Sequence, residues 1–242
     1  PELRKKIIFT LLILLIFRIG NAITVPYINK DALQIQLASM GSTYFGLLNT
    51  MSGGAFSMAT VFALSIQPYI NASIIIQLLT VAIPALERLS KEGEDGRKKL
   101  TRITRYTGAG IALALGIGYY FLLRGQGALV YGSGAQMFAQ VFSAIVVILA
   151  FTAGSLLIQW LGEQIDVKGI GNGISILIFA GIVSRWTSIF TTIKTWLGLA
   201  AGGEVKYYFL IPVLVVLAVA VVVFIVILNA AERRIPVQYA KR

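Results

Sequence analysis

The sequence predicts an all-α integral membrane protein, a polytopic bundle of about six transmembrane helices with one short re-entrant segment. Three observations carry this. Hydrophobic residues make up 57% of the 242, and mean hydropathy is +0.82, more apolar sequence than a soluble domain of this size buries. Apolar runs of span length alternate with short polar connections. Lysine and arginine gather in every second connection, the bias that orients helices in a bilayer. The formal net charge of +11 therefore points first to cytoplasmic loops and anionic lipid, and only then to nucleic acid. Cysteine and histidine are absent. That removes disulfides, thiol chemistry and the commonest general base and metal ligand, so no cofactor, metal or catalytic residue is expected.

The first span is read over Leu3–Val25, with Arg4, Lys5 and Lys6 in its first turn marking a cytoplasmic N-terminal side. Its apolar run is too long for a signal peptide and no small-residue cleavage site follows. Arg18 lies inside it. Such a charge is either a functional residue within the membrane or one that snorkels to the far interface. Pro26–Thr43 is a polar external connection. The stretch Tyr44–Leu86 organises the rest. Its first piece, Phe45–Phe56, is broken by Asn49, Ser52, Gly53 and Gly54 and is too short to cross. Its second, about Ser65–Leu86, is long enough but carries Gln67, Pro68, Asn71, Ser73, Gln77 and Thr80. Irregular backbone at membrane depth is tolerated inside protein or beside a water-filled cavity. The pair reads as a half-inserted segment plus a helix bordering a polar path, or as a loop and a helix whose polar groups bond to neighbours.

Glu87–Tyr106 reads as a charged cytoplasmic loop with a turn at Gly93 and Gly96. Gly108–Leu123 is a third span whose small residues permit close helix packing, with Tyr119 and Tyr120 near its outer end. After an external turn, Gln136–Trp160 is the fourth span. Leu161–Ser175 is a second cytoplasmic connection, where Gly169, Gly171 and Gly173 alternate. No Lys-Ser/Thr pair follows them, so they are not a phosphate cradle; they read as turn residues with positive φ ahead of a helix capped near Asn172. Ile174–Val183, extending to about Phe190, is the fifth span. Arg185–Lys206 is external with an amphipathic segment. Tyr207–Leu228 is the sixth span, with Pro212 in its first turn, and Asn229–Arg242 is cytoplasmic. Both chain ends are expected inside, and both read as interior to something longer.

Ile66, Ile70, Ser73, Gln77 and Thr80 fall at steps of four, three, four and three, one stripe of a helix. Ile174 and Ile178 form another pair one turn apart. From spacing alone such pairs are packing residues. MSGGAFSMATVFALSIQPYINASIIIQLLT closely resembles the plug and second helix of the SecY family, the channel subunits of the bacterial Sec translocon. SKEGEDGRKKL resembles that family's first large cytoplasmic loop, WLGEQIDVKGIGNGISILIFAGIV its fourth loop and fifth helix, ERRIPVQYAKR the start of the loop after its sixth helix, and FRIG its first helix. The resemblance runs in family order over nearly the whole chain.

The resemblance implies two pseudo-symmetric halves around an hourglass pore, of which this sequence would supply a half-channel over residues 1–190, with a plug at about 45–60. An external segment, the sixth helix and the start of the next loop follow over 191–242. The seventh, eighth and tenth helices that complete gate and pore would lie outside it. Carried over by position, Ile66, Ile70, Ile174 and Ile178 are this half's share of an isoleucine ring. Leu47, Leu48, Asn49, Met51, Ser52, Gly53, Gly54 and Phe56 are plug residues. Asn71, Ser73, Gln77 and Thr80 line the lateral gate. Arg97, Lys98, Lys99, Arg233, Arg234, Lys241 and Arg242 face a ribosome or SecA, with ribosomal RNA contact among the expectations. SecE- and SecG-type subunits, signal peptides, a nascent chain and lipid are the other implied partners, and the bacterial plasma membrane the implied location. Branched apolar side chains in a ring deform around a passing chain yet dewet when empty. One difficulty stands: straight full-length helices would place the two isoleucine pairs at different depths. The alternative class is a small-solute secondary transporter with a midplane site at the broken helix, but the spans hold Arg18 and no clearly intramembrane acid. A membrane enzyme is weaker still, having no paired carboxylates and no serine with an evident base.

Overall fold

A computed structural model describes residues 2–39, 43–130, 137–202 and 206–231. By internal packing the chain divides into two units, Pro1–Arg185 and Trp186–Arg242. All regular secondary structure among the described residues is helical. In the first unit the helices are α1 (Glu2–Gly20), α2 (Lys30–Ser39), α3 (Thr43–Met51), α4 (Gln67–Ala82), α5 (Pro84–Lys91), α6 (Glu94–Gly125), α7 (Met137–Lys168) and α8 (Gly173–Val183). By length and composition four helical stretches suffice to cross a membrane, or five if the bent pair α4–α5 counts as one.

The first helix buries Thr10, Ile13, Phe17 and Gly20, residues spaced to lie on one face. Arg18 is exposed in its last turn, where a cation suits the carbonyl end of a helix; this favours the interfacial reading. Beyond it the chain is stitched into place without a strand. Val25 N–H donates to Ala59 O (3.0 Å) and Val61 N–H to Ile23 O (2.9 Å). Asn29 N–H donates to Ala128 O (2.7 Å) and Val130 N–H to Tyr27 O (2.9 Å). The polar connection Pro26–Thr43 thus contains a helix, α2, begun by Asn29, whose Oδ1 accepts from Asp31 and Ala32 N–H.

The second piece of the broken stretch is not one continuous span. The 16 residues of α4 reach about 24 Å, and α5 leaves at 101°. Pro84 explains the corner: it has no N–H and disfavours helical backbone at the residue before it. Ile83 is accordingly extended, at φ −109°, ψ 113°. Glu87–Tyr106, expected as a loop, is instead α5 and the first turns of α6. Charge does not break a helix; only Gly93, at φ +79°, does so here. Gly96 is no turn residue: a Cβ on it would lie 1.8 Å from Leu89 O, so it lets α5 and α6 touch.

The helices α6 and α7 pack along each other, α4 lies against α6, and α7 carries α1 and α8 on its other sides. The small residues of α6 serve as expected. A Cβ on Gly108 would meet Ala72 of α4 at 3.6 Å, and one on Gly116 would meet Thr152 of α7 at 3.2 Å. Both long helices run past the expected span ends; α7 continues to Lys168, so most of the expected cytoplasmic connection at Leu161–Ser175 is helical. At its cytoplasm-assigned end, Arg105 Nη2 donates to Glu163 Oε2 at 2.7 Å, tying α6 to α7.

The second unit holds α9 (Trp186–Ala201) and α10 (Lys206–Ala230), with Trp196 stacked on Tyr207 at 6.1 Å. The fifth span, read to about Phe190, carries a two-residue turn at Ser184–Arg185, after which helix resumes at Trp186; by length and composition Gly173–Ala201 together is one of the four stretches able to cross. Pro212 lies inside α10, a turn deeper than expected. No residue of α10 is buried, and a helix apolar all round is a membrane span or a core helix awaiting partners.

Candidate functional site

The stretch between α3 and α4, residues 52–66, is a succession of turns folded into the first unit. Two non-glycine residues within it occupy the left-handed region, Ala59 (φ +46°) and Ser65 (φ +51°), a strain of about 1–2 kcal/mol each. Hydrogen bonds hold both bends: Ala59 O accepts from Val25 N–H, and Ser65 O accepts from Ser155 Oγ of α7 at 3.1 Å. The Ser65 bend delivers Ile66 to the start of α4. A Cβ on Gly154 of α7 would lie 1.9 Å from Val61 O, so the stretch rests directly on that helix.

One apolar cluster receives both isoleucine pairs. Its buried members are Ile13, Phe17, Phe62, Ile66, Ile158, Leu161, Ile165 and Leu177, and Ile70, Ile174 and Ile178 pack against it, partly buried. The depth difficulty is thereby removed, because α4 begins only after the folded-in stretch and α8 only after a short link from α7. The four are not equivalent. Ile66 is 1% exposed, locked among aromatic and aliphatic neighbours, while Ile70, Ile174 and Ile178 keep free surface.

The expected plug residues split into two groups. Ser52 and Phe56 are buried. Ser52 Oγ accepts from Phe56 N–H (3.1 Å), and Asn49 Oδ1 accepts from Ser57 N–H (3.0 Å). The Phe56 ring packs on Phe45 and Tyr119, and Tyr119 Oη donates to Phe56 O at 2.5 Å. Leu47 is exposed, Leu48 and Met51 half-buried. Gly53 (φ +67°) and Gly54 (φ +92°) join the groups, a conformation only glycine adopts without strain. The Gly53 backbone lies so close to the end of α8 that a Cβ would meet Ser184 Oγ at 2.7 Å, and a Cβ on Gly181 would meet Met51 O at 2.6 Å. The anchoring role of Tyr119, Gly181 and Ser184 was not read from the sequence; a tyrosine near a helix end reads as an interfacial belt, and a contact glycine carries no local mark. Replacing Tyr119 by Phe should lower stability by only about 1 kcal/mol, because Phe56 O keeps the Ala59 N–H as a donor; thermal unfolding in detergent measures it.

An apolar cavity of about 200 Å³ lies between α3, residues 63–67 and α6, with Phe45, Leu48, Leu64, Leu115 and Leu122 in its wall. Gln67 also lines it and has a buried Oε1 without a partner. The expected gate residues lie on α4. Gln77 Nε2 donates to Ser73 Oγ (3.3 Å) and Thr80 Oγ1 to Gln77 O (2.5 Å); Gln77 is exposed, Asn71, Ser73 and Thr80 half-buried. Arg97, Lys98 and Lys99 stand exposed on the first turns of α6, the lysines in loose surface pairs with Asp95 (3.8 Å) and Glu92 (3.5 Å). Arg233, Arg234, Lys241 and Arg242 lie outside the described residues.

The family model for SecY matches residues 60–242, three-quarters of the chain and all four isoleucines. The chain belongs to the SecY family. It is 43% identical to the protein translocase subunit SecY of Streptomyces scabiei over 256 residues, covering 100% of this chain and 55% of the relative. It is 43% identical to that of Bacillus subtilis (strain 168) over 244 residues, covering 99% and 54%. The chain thus spans about half the length of these SecY relatives. Two solved structures share the fold: Sec61 in the canine ribosome–channel complex from the endoplasmic reticulum (TM-score 0.58, 21% identity, 99% of this chain and 50% of that one), and a structure titled as that of a protein conducting channel (TM-score 0.51, 22% identity, 76% and 37%). The polytopic, helical nature expected from the sequence agrees with these SecY and Sec61 likenesses.

Proposed function

We propose that this chain supplies the first half and sixth helix of the central subunit of a protein-conducting channel. That channel passes unfolded preproteins across the bacterial plasma membrane and releases membrane proteins sideways into it. The single observation that carries this is the meeting of Ile66, Ile70, Ile174 and Ile178 in one cluster beside a glycine-jointed segment seated on α8. In this reading Ile70, Ile174 and Ile178 are the half-ring facing the passage and Ile66 is the buried post behind it. The segment around Leu47–Phe56 is the plug, and Asn71, Ser73, Gln77 and Thr80 are gate residues. The channel performs no catalysis itself; a motor of SecA type or a translating ribosome drives it, with SecE- and SecG-type subunits beside it and both ends of this chain cytoplasmic. The carrier alternative gains nothing, since the broken stretch packs into an apolar core and the relatives are named as translocase subunits. The test is transport of an unfolded preprotein into proteoliposomes by a channel completed to the relatives' length. Transport that requires the motor supports the reading; a channel that assembles and passes no preprotein contradicts it.

The basic residues make a second expectation. Changing Arg233, Arg234, Lys241 and Arg242 to Glu should weaken co-sedimentation with empty ribosomes and flatten its dependence on salt, because each lost phosphate contact removes released counterions. Binding unchanged across a salt series would remove this segment from the ribosome-facing surface.

A further inference from the structure

The link from α7 to α8 is only four residues, Gly169–Asn172, and both of its ends are clamped. Gly169 N–H donates to Ile165 O at 2.7 Å, and Ile170 N–H donates to Thr10 Oγ1 of α1 at 3.3 Å. Gly171 turns the chain at φ +66°. Of the three alternating glycines it alone has positive φ; the other two permit close approach. A Cβ on Gly169 would sit 2.7 Å from Thr10 Oγ1, and one on Gly173 would sit 2.1 Å from Gly162 O of α7. At the start of α8, Asn172 Oδ1 accepts from Ser175 N–H at 3.0 Å. The Gly173 N–H is the first unpaired donor of that helix, and Asp166 Oδ1, seven residues back on α7, accepts from it at 2.7 Å. First-turn N–H groups have no partner within a helix, and a carboxylate there also meets the positive end of the helix dipole. Ile174 is the next residue, and Ile178 stands one turn further on. With only eleven residues in α8, a shift at its start moves both.

We propose that Asp166 is a positioning residue: its carboxylate, holding the Gly173 N–H, sets where α8 begins and so places Ile174 and Ile178 in the seal. The sealing part rests on the function proposed above; the positioning part does not. Asp166→Asn keeps an oxygen able to accept the same bond, whereas Asp166→Ala removes it. The test uses the completed channel, with spin labels at the exposed positions Leu157 of α7 and Phe179 of α8, and ion leak through the resting channel as the second readout. Asp166→Ala should broaden or shift the 157–179 distance and raise leak by about fivefold or more, and Asp166→Asn should restore both to within about twofold of the parent. An unchanged distance in Asp166→Ala overturns the positioning role. A changed distance without leak, in a channel that does leak when Ile70, Ile174 and Ile178 are Ser, overturns its consequence for the seal. If that triple change is itself tight, the ring assignment fails instead, and the distances still decide what Asp166 does. Equal loss in the Ala and Asn variants would reduce Asp166 to a charge that the assembly needs, against the proposal.

Discussion

Changing Ile70, Ile174 and Ile178 together to serine in a completed channel is expected to raise resting ion conductance by about tenfold or more, equivalent to lowering a barrier by about 1.4 kcal/mol. An apolar constriction excludes ions by dewetting, and hydroxyls on three partly exposed side chains of one cluster would hydrate it. Removing Leu47–Thr60 as well should raise the leak further, by uncovering the constriction and by taking away the buried Phe56, Ala59 and Thr60 from the folded-in stretch that leads to Ile66. Preprotein transport should continue, since a wider, wetter ring still admits an extended chain. Ile66 is kept out of the variant for a reason. At 1% exposure its truncation opens a cavity and should destabilise by about 2–5 kcal/mol, so leak from an Ile66 variant would confuse a loosened core with an opened seal. Single-channel recording with and without the plug segment distinguishes these, and a triple variant as tight as the parent would make the three isoleucines packing residues.

The second large effect is expected at Gly154. A methyl group there would lie 1.9 Å from the carbonyl oxygen of Val61, which is backbone and cannot rotate away. Either α7 or the folded-in stretch must move. Gly154→Ala should therefore destabilise by about 3 kcal/mol or more and unseat the stretch that aims Ile66, so that loss of thermal stability and increased leak appear together. Gly110, exposed on α6 with nothing within 4 Å of a built Cβ, is the matched comparison. Gly110→Ala should be neutral or stabilise by about 0.5–1 kcal/mol. Equal effects at the two positions would mean that the close approach at Gly154 is unimportant.

How much of this was legible in the residues depended on where each signal lives. Ile66 and Ile70, like Ile174 and Ile178, announce a shared helical face through spacing, but nothing in spacing says that the two faces meet. That follows from the bends at Ala59 and Ser65, which no local rule assigns to alanine or serine. The break at Gly53–Gly54 was legible because glycine is the residue for positive φ. The corner at Pro84 was equally legible in principle and was missed, because the apolar run passes through it without interruption. The start of α6 was placed too late and the end of α7 too early by equating charge with loop, although Lys, Arg and Glu are good helix formers. Gly169 and Gly173 were read as turns; their task is to let α7, α8 and α1 touch, which depends on partners distant in sequence. Asn172 was read correctly as a cap, since that signal is local.

Site-directed photo-cross-linking tests the central claim most directly. A photoreactive residue would be placed singly at 70, 174 and 178 in a completed channel, and at 142, an exposed position of α7, with an unfolded preprotein stalled midway across the membrane. Adducts to the stalled chain should form at 70, 174 and 178 and depend on the motor, with none from 142. Adducts from 142 as abundant as those from the isoleucines, or none from the isoleucines while the chain is held in transit, would show that the polypeptide takes another path.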